Sequence, residues 1–362
     1  MAMKTDVLIV GAGPAGSTTA YYAAKAGADV TIIDRRSEVG VPVRCGELIP
    51  SVEEITNTFP NLEDAESLFD VPSDLVLREV EGIKLVNPKG KETLLEFTGY
   101  TTDRDRYDKF LARKAVEEGA ELVTGNMFKG IEGGVAVTED GPIEYKVLIG
   151  ADGPGSRVAR SLGLPRNRNP YPAVTCQAKG DFDPYVVMFF GGIAPGAYSW
   201  IIPKKGKANV GVGFSPKFAD GSLRGYFDVF VKKRGFELEG EPHGKYVPSE
   251  GAVAKTVSGN GMIVGDAAGH VISVNGGGVP LALIAARICG EVAAANVATG
   301  LPLQEYEDRW RHVLYKQIKT AAFSKKLADT FAFGSDWRTG VCMAILGKRR
   351  MANMIRCRHV FP

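Results

Sequence analysis

Three glycines and one aspartate near the start of the chain have the types and spacing of a dinucleotide-binding site. Gly11, Gly13 and Gly16 form a G-x-G-x-x-G pattern, and Asp34 follows at the interval of about 20 residues that is typical of such sites. The first glycine permits a tight turn, the second lets a pyrophosphate approach the backbone, and the third allows a helix to pack closely on a strand. A carboxylate at the later position binds a ribose hydroxyl. We therefore predict that this segment binds a dinucleotide.

The elements around these residues support that prediction. Residues 7–10 are an apolar run typical of a buried parallel strand, an alanine-rich stretch with helical spacing follows the glycines, and residues 30–33 are a second apolar run ending at Asp34. Tight glycine turns without a ligand are the alternative. The order strand, glycines, helix, strand and acid favours the nucleotide site.

Two later segments have the same character. The predicted strand 143–149 leads to Asp152, and the predicted strand 262–264 leads to Asp266. Ligands bind at the carboxyl edge of such a sheet, so we expect both acids at one edge. Glycines 276–278 then precede a small, apolar helix that begins near Pro280 and ends at Gly300. The helix dipole predicts a second site for negative charge at this N-terminus.

Cys45 and Arg104 are further candidates, each with two interpretations. Cys45 lies beside Arg44 in the loop 35–50, where it is either a reactive thiol next to a cofactor or an inert packing residue. Arg104 stands at the start of a predicted helix. It either binds a ligand or pairs with Asp103 and Asp105 in a solvated ion network.

Composition excludes several classes of function. The five cysteines include no C-x-x-C pair and do not cluster with the four histidines, so we expect no metal site and no disulfide framework. A net charge of +2 and the lack of a recognition motif argue against nucleic-acid binding. The chain has no uninterrupted apolar run of about 18 residues and no signal-peptide pattern, so we expect a cytoplasmic protein without a membrane span.

The 362 residues suggest about two domains. We predict an α/β first domain from residues 1–165 plus 255–300, interrupted by an insertion at 51–100 that contains a hairpin of strands 75–86 and 93–97. Residues 166–254 predict an antiparallel β-sheet domain with a hairpin that turns at 204–207. Its aromatic residues either line an apolar cavity or form the core face of a sheet: Phe189, Phe190, Tyr198, Trp200 and Phe214.

The C-terminal region 301–362 is predicted to be helical. Residues 341–359 mix apolar and basic side chains. Such a segment is either a basic amphipathic helix on an anionic membrane surface or a helix packed on the domain with a solvated basic face.

The motifs occur in an order that resembles the FAD-dependent hydroxylase-like superfamily. G-x-G-x-x-G with Asp34 is followed by D-R-D-R-Y-D, by A-D-G-x-x-S-R and by G-D-A-A before G-G-G. Within that superfamily, P-V-R-C-G-E (42–47), Y-S-W-I-I-P-K-K-G-K-A-N-V-G-V-G (198–213) and residues 265–279 resemble the geranylgeranyl reductase family. Its archaeal members hydrogenate the isoprenoid chains of ether lipids. The resemblance covers most of residues 5–300.

The resemblance implies a Rossmann-like FAD-binding domain with an inserted antiparallel substrate-binding sheet and a C-terminal helical segment. It implies Cys45 as the candidate catalytic residue, and a lipid site lined by Tyr198, Trp200, Gly211 and Gly213. The implied FAD contacts run from the pyrophosphate and adenosine to the flavin ring: Gly11, Gly13, Ala15, Gly16, Asp34, Arg35, Arg104, Met127, Asp152, Asp266, Cys45, Gly46, Leu48, Gly278 and Val279. One departure from the pattern is Ile272-Ser273, where superfamily members often have proline, and another is His270 after an additional glycine.

The expected function is therefore an FAD-dependent reductase that saturates C=C bonds of geranylgeranyl chains, with an isoprenoid lipid substrate and a peripheral membrane contact. The alternatives are an FAD-dependent monooxygenase and a non-catalytic electron-transfer flavoprotein or isoprenoid carrier. Because the single G-x-G-x-x-G pattern is assigned to FAD, the electron donor is left open among NAD(P)H, ferredoxin and another small reductant.

Overall fold

A computed structural model describes residues 3–360 of the chain. The strands in this range are, in chain order, β1 (Met3–Val10), β2 (Val30–Asp34), β3 (Leu48–Pro50), β4 (Arg78–Val80), β5 (Gly82–Val86), β6 (Glu92–Leu95), β7 (Gly99–Thr101), β8 (Glu121–Thr124), β9 (Phe128–Glu132), β10 (Val135–Thr138), β11 (Pro142–Gly150), β12 (Tyr171–Lys179), β13 (Tyr185–Phe189), β14 (Ser199–Lys204), β15 (Lys207–Gly213), β16 (Leu238–Val247), β17 (Val257–Ser258) and β18 (Gly261–Ile263).

The α-helices in the same range are α1 (Pro14–Lys25), α2 (Val52–Thr58), α3 (Ala65–Leu68), α4 (Arg104–Glu117), α5 (Arg157–Ser161), α6 (Leu223–Arg234), α7 (Val279–Thr299), α8 (Gln304–Trp310), α9 (Lys316–Leu327) and α10 (Asp336–Ile355). Two π-helical turns, Arg311–Tyr315 and Ala328–Ala332, join the last three helices.

Among the described residues, eight strands form the first sheet. Its main order is β17-β18-β11-β1-β2-β8, and β10 and β9 extend from β11. The pairs β18–β11, β11–β1, β1–β2 and β2–β8 are parallel, which confirms the predicted α/β architecture. The carboxyl ends of β1, β2, β11 and β18 therefore lie along one edge, where the glycine-rich segments leave the sheet.

Helices α1 and α7 pack against each other over one face of this sheet. The contact is close because Gly290 of α7 faces the backbone of α1, where a Cβ at Gly290 would lie 2.4 Å from the carbonyl oxygen of Thr19. Within residues 3–360, α7 is the helix with the length and hydropathy of a membrane span. Of the 18-residue stretch that meets this criterion, 67% is buried inside the protein, as expected for a core helix.

The second sheet has seven strands among the described residues, in the order β16-β12-β15-β14-β13-β5-β6. Its neighbours are antiparallel except for β13 and β5, which are parallel. The hairpin predicted in segment 51–100 is confirmed as β5–β6, and it belongs to this second sheet. Its first strand is shorter than predicted because residues 78–80 form β4, which pairs with β7 in a small third sheet together with β3.

Helix α6 covers one face of the second sheet and was not predicted. Its buried residues Phe227 and Phe230 pack on β12 and β15. Ser222 caps its N-terminus and Gly235 ends it at a φ of +67°. Both terminal signals were present in the sequence. The helix was nevertheless missed, because its apolar stripe is narrow and the segments around it are rich in β-strand patterns.

The opposite face of the second sheet lies over the first domain and α10. The predicted helical C-terminal region is confirmed, and its apolar stripe Tyr306, Trp310, Leu314 and Ile318 is buried in the core. Helix α10 packs with part of its apolar side on β5, β6 and β13. Gly347, at φ +62°, kinks α10.

Candidate functional site

The glycine segment forms the turn between β1 and α1. Gly11 has a φ of +106°, and a Cβ there would lie 2.5 Å from the carbonyl oxygen of Ala151. At Gly16 a Cβ would lie 1.8 Å from the carbonyl oxygen of Gly11, so a side chain at either position would break the turn. Gly13 caps α1 without a side-chain hydrogen bond, and its Cα faces open space. Ala15 follows in the first turn of α1 and is buried. The turn therefore presents the free N-terminus of α1 to a ligand.

Asp34 lies at the end of β2, beside this turn. Its carboxylate accepts hydrogen bonds from the backbone N–H groups of Ala12 and Arg36, both at 2.8 Å. Asn126 lies next to Asp34 in space, because its N–H donates to the carbonyl oxygen of Asp34, and Met127 is the residue that follows. Arg35 is exposed at the same end of the sheet. These residues stay predicted contacts for the adenosine part of a dinucleotide.

Asp152 and Asp266 lie at the same edge, after β11 and β18. One oxygen of Asp152 accepts from the N–H groups of Arg157 and Val158, and the other is buried without a partner. Burial raises the pKa of Asp152, and these hydrogen bonds oppose the rise. Asp266 forms a 2.7 Å ion pair with Lys245, which reaches across from β16 of the second sheet. The edge thus carries one unpartnered acceptor and one pair that joins the two sheets.

The N-terminus of α7 opens beside Asp266. Gly278 caps this helix without a side-chain hydrogen bond, and Val279 begins it. A Cβ at Gly278 would lie 3.2 Å from Oδ1 of Asp266, so the absence of a side chain keeps the space in front of the helix clear. The positive end of the helix dipole therefore faces this space, as it does at α1.

Cys45 is a partly buried free thiol in the irregular segment before β3. Its sulfur accepts a hydrogen bond from the N–H of Glu47 at 3.3 Å, and its carbonyl oxygen accepts one from Nδ2 of Asn209 at 2.8 Å. A Cβ at Gly46 would lie 2.7 Å from Cδ1 of Ile202, so the turn packs directly on β14. Leu48 follows and packs in the same apolar cluster as Trp200.

Arg104 lies at the start of α4, close to the Cys45 turn. It forms two hydrogen bonds with Asp108, at 2.8 and 3.0 Å, and its side chain is almost fully buried. The alternative interpretation, in which Arg104 pairs with Asp103 and Asp105 in a solvated network, is therefore excluded. Burial lowers the pKa of Arg104, the charge of Asp108 opposes this, and the net shift is upward.

Tyr198 and Trp200 lie on the face of the second sheet that looks toward Cys45. The Tyr198 hydroxyl donates to the carbonyl oxygen of Asn275, in the loop before α7. Burial raises the pKa of Tyr198. The two aromatic rings contact each other edge to face at 5.9 Å between centroids.

The two glycines predicted for the substrate site differ in their surroundings. A Cβ at Gly211 would lie 2.1 Å from Cζ2 of Trp200, so the indole packs directly on that backbone. At Gly213 the nearest atom would be 3.7 Å away, an ordinary contact. The five aromatic residues also divide between the two faces of the sheet. Phe189 and Phe214 contact α6, whereas Phe190, Tyr198 and Trp200 are on the face toward Cys45.

Sequence reasoning missed four polar residues of this region: Glu47, Lys204, Asn209 and Lys245. One signal was available for Asn209. Along β15 it has the same parity as Gly211 and Gly213, whereas the alternate residues 208, 210 and 212 are apolar. A fully buried polar side chain on that face requires buried partners.

Comparisons with known proteins agree with this geometry. Residues 9–60 match the model of an NAD(P)-binding Rossmann-like domain, and residues 172–247 match the geranylgeranyl reductase catalytic domain. A digeranylgeranylglycerophospholipid reductase of Methanococcus vannielii is 31% identical, over 90% of this chain and 87% of the relative. One from Methanopyrus kandleri is 36% identical, over 85% of this chain and 86% of the relative.

The chain belongs to the geranylgeranyl reductase family. A solved structure of a geranylgeranyl bacteriochlorophyll reductase-like protein from Thermoplasma acidophilum is also similar. It has a TM-score of 0.84 at 27% identity and covers 95% of this chain and 92% of that protein. In this member of the family, the matched catalytic domain is the part of the second sheet that runs from β12 to β16 and carries Tyr198 and Trp200.

The residues present fit the FAD that the fold family implies. The two helix N-termini without side-chain caps suit the negative charge of a pyrophosphate and of a flavin pyrimidine. The buried, unpartnered oxygen of Asp152 is the type of acceptor that a bound ligand satisfies. Among residues 3–360, no group of three histidine, cysteine or acidic side chains is placed to hold a metal ion.

Proposed function

We propose that this protein is an FAD-dependent reductase that saturates C=C bonds in the geranylgeranyl chains of archaeal ether-lipid precursors. One observation carries the proposal. The Cys45 turn, the open N-terminus of α7 and the aromatic pair Tyr198–Trp200 meet at one place, between the two sheets. An apolar face with a few convergent polar groups suits an isoprenoid chain that must lie beside a redox cofactor.

The chemistry divides between cofactor and protein. A bound, reduced FAD would supply the hydride that one alkene carbon needs. An isolated alkene has no carbonyl to stabilise a carbanion, so a proton must reach the other carbon before or together with the hydride. Cys45 is the proposed donor of that proton from Sγ, because it is a thiol at the meeting point of turn, helix and hairpin. Tyr198 and Trp200 align the chain and exclude water from it.

The N-terminus of α7 has an electrostatic role in this proposal. Gly278 and Val279 would hold the pyrimidine side of a bound flavin, which carries negative charge when the ring is reduced. The positive end of the helix dipole lowers the energy of that charge. Among the other predicted contacts, Ala15 and the glycines 11, 13 and 16 would hold the pyrophosphate. Asp34, Arg104 and Met127 would hold the adenosine, and Asp266 the ribityl and phosphate side.

The decisive experiment is to purify the yellow protein, identify its flavin and any bound lipid by mass spectrometry, and assay it anaerobically on unsaturated archaeal lipid. Parallel reactions receive NADPH, NADH or reduced ferredoxin, so the electron donor is identified with the product. Saturation appears as stepwise gains of one H2 per double bond. An obligate requirement for oxygen with insertion of oxygen atoms would reject the reductase in favour of a monooxygenase.

The role of Cys45 is tested by Cys45→Ala. We expect this variant to retain FAD and lose turnover, because the thiol is proposed to act on the alkene while the other predicted contacts to FAD are kept. Wild-type alkene reduction by the variant would leave Cys45 as a packing residue only.

The proposal also includes a peripheral membrane contact of this cytoplasmic enzyme, through α10. The helix separates the apolar residues of its segment into two groups. Met343, Leu346 and Ile355 pack on the second sheet. On the opposite side, Trp337 and Ile345 are 71% and 65% exposed.

An apolar patch of three exposed residues results: Trp337, Val341 and Ile345 are spaced four residues apart along α10. Phe331, which is 61% exposed, precedes this helix, and its carbonyl oxygen accepts from Nε of Arg338. The exposed basic residues 348 and 349 follow directly after the kink at Gly347. Large apolar side chains flanked by basic ones favour the interface of an anionic membrane.

Vesicles containing phosphatidylglycerol test this contact, with neutral phosphatidylcholine vesicles for comparison. Trp337 is exposed while Trp200 and Trp310 are buried, so its fluorescence should shift to the blue on binding. Ile345→Ser should weaken sedimentation with the anionic vesicles. The matched control is Val229→Ser, an exposed residue on α6 away from the patch. Equal binding by both variants would exclude the α10 surface.

A further inference from the structure

A polar network that is almost completely buried lies behind the Cys45 turn. The carboxylate of Glu47, at 1% exposure, accepts from Nζ of Lys204 at 3.0 Å, Nδ2 of Asn209 at 2.9 Å and Nε2 of Gln177 at 2.7 Å. Its second oxygen accepts from the N–H of Arg104 at 3.1 Å. Four donors on one carboxylate satisfy its charge, so the group is held rigidly in the interior.

Asn209 connects this network to both the turn and the hairpin. Its Oδ1 accepts from Nε1 of Trp200 at 2.8 Å and from the hydroxyl of Thr175 at 2.6 Å. Its Nδ2 donates to the carbonyl oxygen of Cys45 and to Glu47. All four hydrogen-bonding positions of the amide are used, so the amide has one orientation, and that orientation sets the distance between indole and turn.

This arrangement costs free energy that an apolar core would not. Glu47 has a φ of +66°, an uncommon backbone conformation for a residue with a side chain. Lys204 is also 1% exposed, and a buried ion pair is seldom better for stability than well-packed apolar side chains. Such a network is better explained by the geometry that it imposes on its neighbours, which are Cys45 and Trp200.

We propose that Glu47 and Asn209 are positioning residues, which hold the Cys45 turn in one register against the Trp200 indole. They do not touch the reacting atoms themselves. They fix the positions of the Cys45 turn and the Trp200 indole, between which the alkene chain is proposed to lie. The inference rests on the proposed function for that last point only, because the register of turn and indole is a property of the protein alone.

The first test measures how firmly the turn is held, without substrate. Asn209→Ala removes the donor to the Cys45 carbonyl. We expect the rate of iodoacetamide labelling of Cys45 to rise roughly fivefold to tenfold, as for the loss of one hydrogen bond that holds a closed turn. Peptide mass spectrometry separates Cys45 from Cys342, which is partly exposed elsewhere and serves as an internal reference.

The matched control is Val210→Ala. Val210 follows Asn209 on β15, is fully buried and points to the opposite face, toward α6. The substitution removes core volume and lowers stability, but it leaves the polar network intact. The ratio of Cys45 to Cys342 labelling should therefore stay at the wild-type value. A rise in both variants would mean that general loosening of the sheet is the cause, and would overturn the proposal.

The second test measures the consequence for the reaction. With FAD bound, Asn209→Ala should lower kcat for alkene reduction by about 10²-fold, the effect of misplacing a reacting group by about 1 Å. The KM for the lipid should change little, because the apolar chain contacts are kept. If the wild-type protein itself reduces no alkene, the proposed function fails, while the labelling result still decides the positioning role.

A milder variant covers the case in which Asn209→Ala does not fold. Gln177→Leu removes one donor to Glu47 from a partly buried side chain and keeps the remaining three. We expect labelling of Cys45 to rise in the same direction by about twofold. Wild-type labelling rates in the folded variants would refute the proposal.

Discussion

The contact between Gly211 and Trp200 makes a quantitative prediction about the hairpin β14–β15. In Gly211→Ala the new methyl group would lie 2.1 and 2.5 Å from two atoms of the indole and 2.5 Å from the carbonyl oxygen of Val174. The backbone of β12 cannot move away freely, because β12 is paired on both sides. The indole must therefore shift, and it must strain or lose its hydrogen bond to Asn209.

The expected cost has two parts. Overpacking of a core costs about 1–3 kcal/mol. Loss of the indole hydrogen bond adds about 1 kcal/mol. We therefore expect Gly211→Ala to lower the free energy of unfolding by roughly 2–4 kcal/mol, measured by urea titration, and to reduce alkene turnover because the indole is displaced.

Gly213→Ala is the matched control on the same strand. Its methyl group would make only an ordinary 3.7 Å contact, so we expect a change in stability within about 1 kcal/mol. A double-mutant cycle with Trp200→Leu isolates the clash, since the smaller side chain should recover part of the loss. Equal stability of Gly211→Ala and Gly213→Ala, or no coupling in the cycle, would refute the reasoning.

Three further predictions concern the first domain. Gly16→Ala should abolish FAD binding in a titration followed by flavin fluorescence, because its methyl group would lie 1.8 Å from a carbonyl oxygen of the same turn. Burial lowers the pKa of His270 in the folded protein to about 3, from about 6.5 in the unfolded chain. Between these two pH values, the unfolded chain binds a proton on His270 that the folded protein does not bind. Stability must then fall as the pH falls, by about 2 kcal/mol at pH 5 relative to neutral pH, and His270→Phe should lack this part of the pH dependence in urea titrations. Arg104→Ala breaks a buried pair with Asp108 and should cost about 3–5 kcal/mol, whereas Arg106→Ala removes an exposed pair and should cost about 1 kcal/mol or less; similar losses would contradict the assigned burial.

Local patterns predicted the first part of the fold well. The turn at Gly11, helix α1 and the strand ending at Asp34 depend on neighbouring residues and on one period of apolar side chains. The helix start near Pro280 and its end at Gly300 are likewise local. Such features are specified by the conformations that glycine and proline allow, and these are visible in the sequence.

Pairing partners were harder to predict, for two physical reasons. Residues next to each other on a helix point in different directions, so Arg104 pairs with Asp108 one turn later and not with its immediate neighbours. The helical spacing contained that information. The pairing of Glu47 with Lys204 and Asn209 was not accessible in this way, because it joins residues more than 150 positions apart in the chain. Only the folding of the second sheet over the first domain brings them together.

The C-terminal segment shows why composition alone left two interpretations open. Its apolar residues belong to two sides of one helix, and only the structure shows which side the second sheet covers. The membrane interpretation counted Arg356 among the basic residues, but Arg356 forms an ion pair with Glu54 at 2.6 Å. The exposed apolar patch on α10 begins earlier in the chain, at Trp337.

The parallel pairing of β13 with β5 has a consequence for how the protein is made. Tyr185 pairs beside Gly82, so the second sheet incorporates a hairpin synthesised about 100 residues before its neighbour. The first sheet in turn gains β18 only after the second has been synthesised. On the ribosome, the first sheet therefore cannot be completed before all strands of the second have been synthesised, because the chain is made from its N-terminus onward. We expect fragments that end between the two, near residue 165, to expose unpaired strand edges and to aggregate when expressed alone.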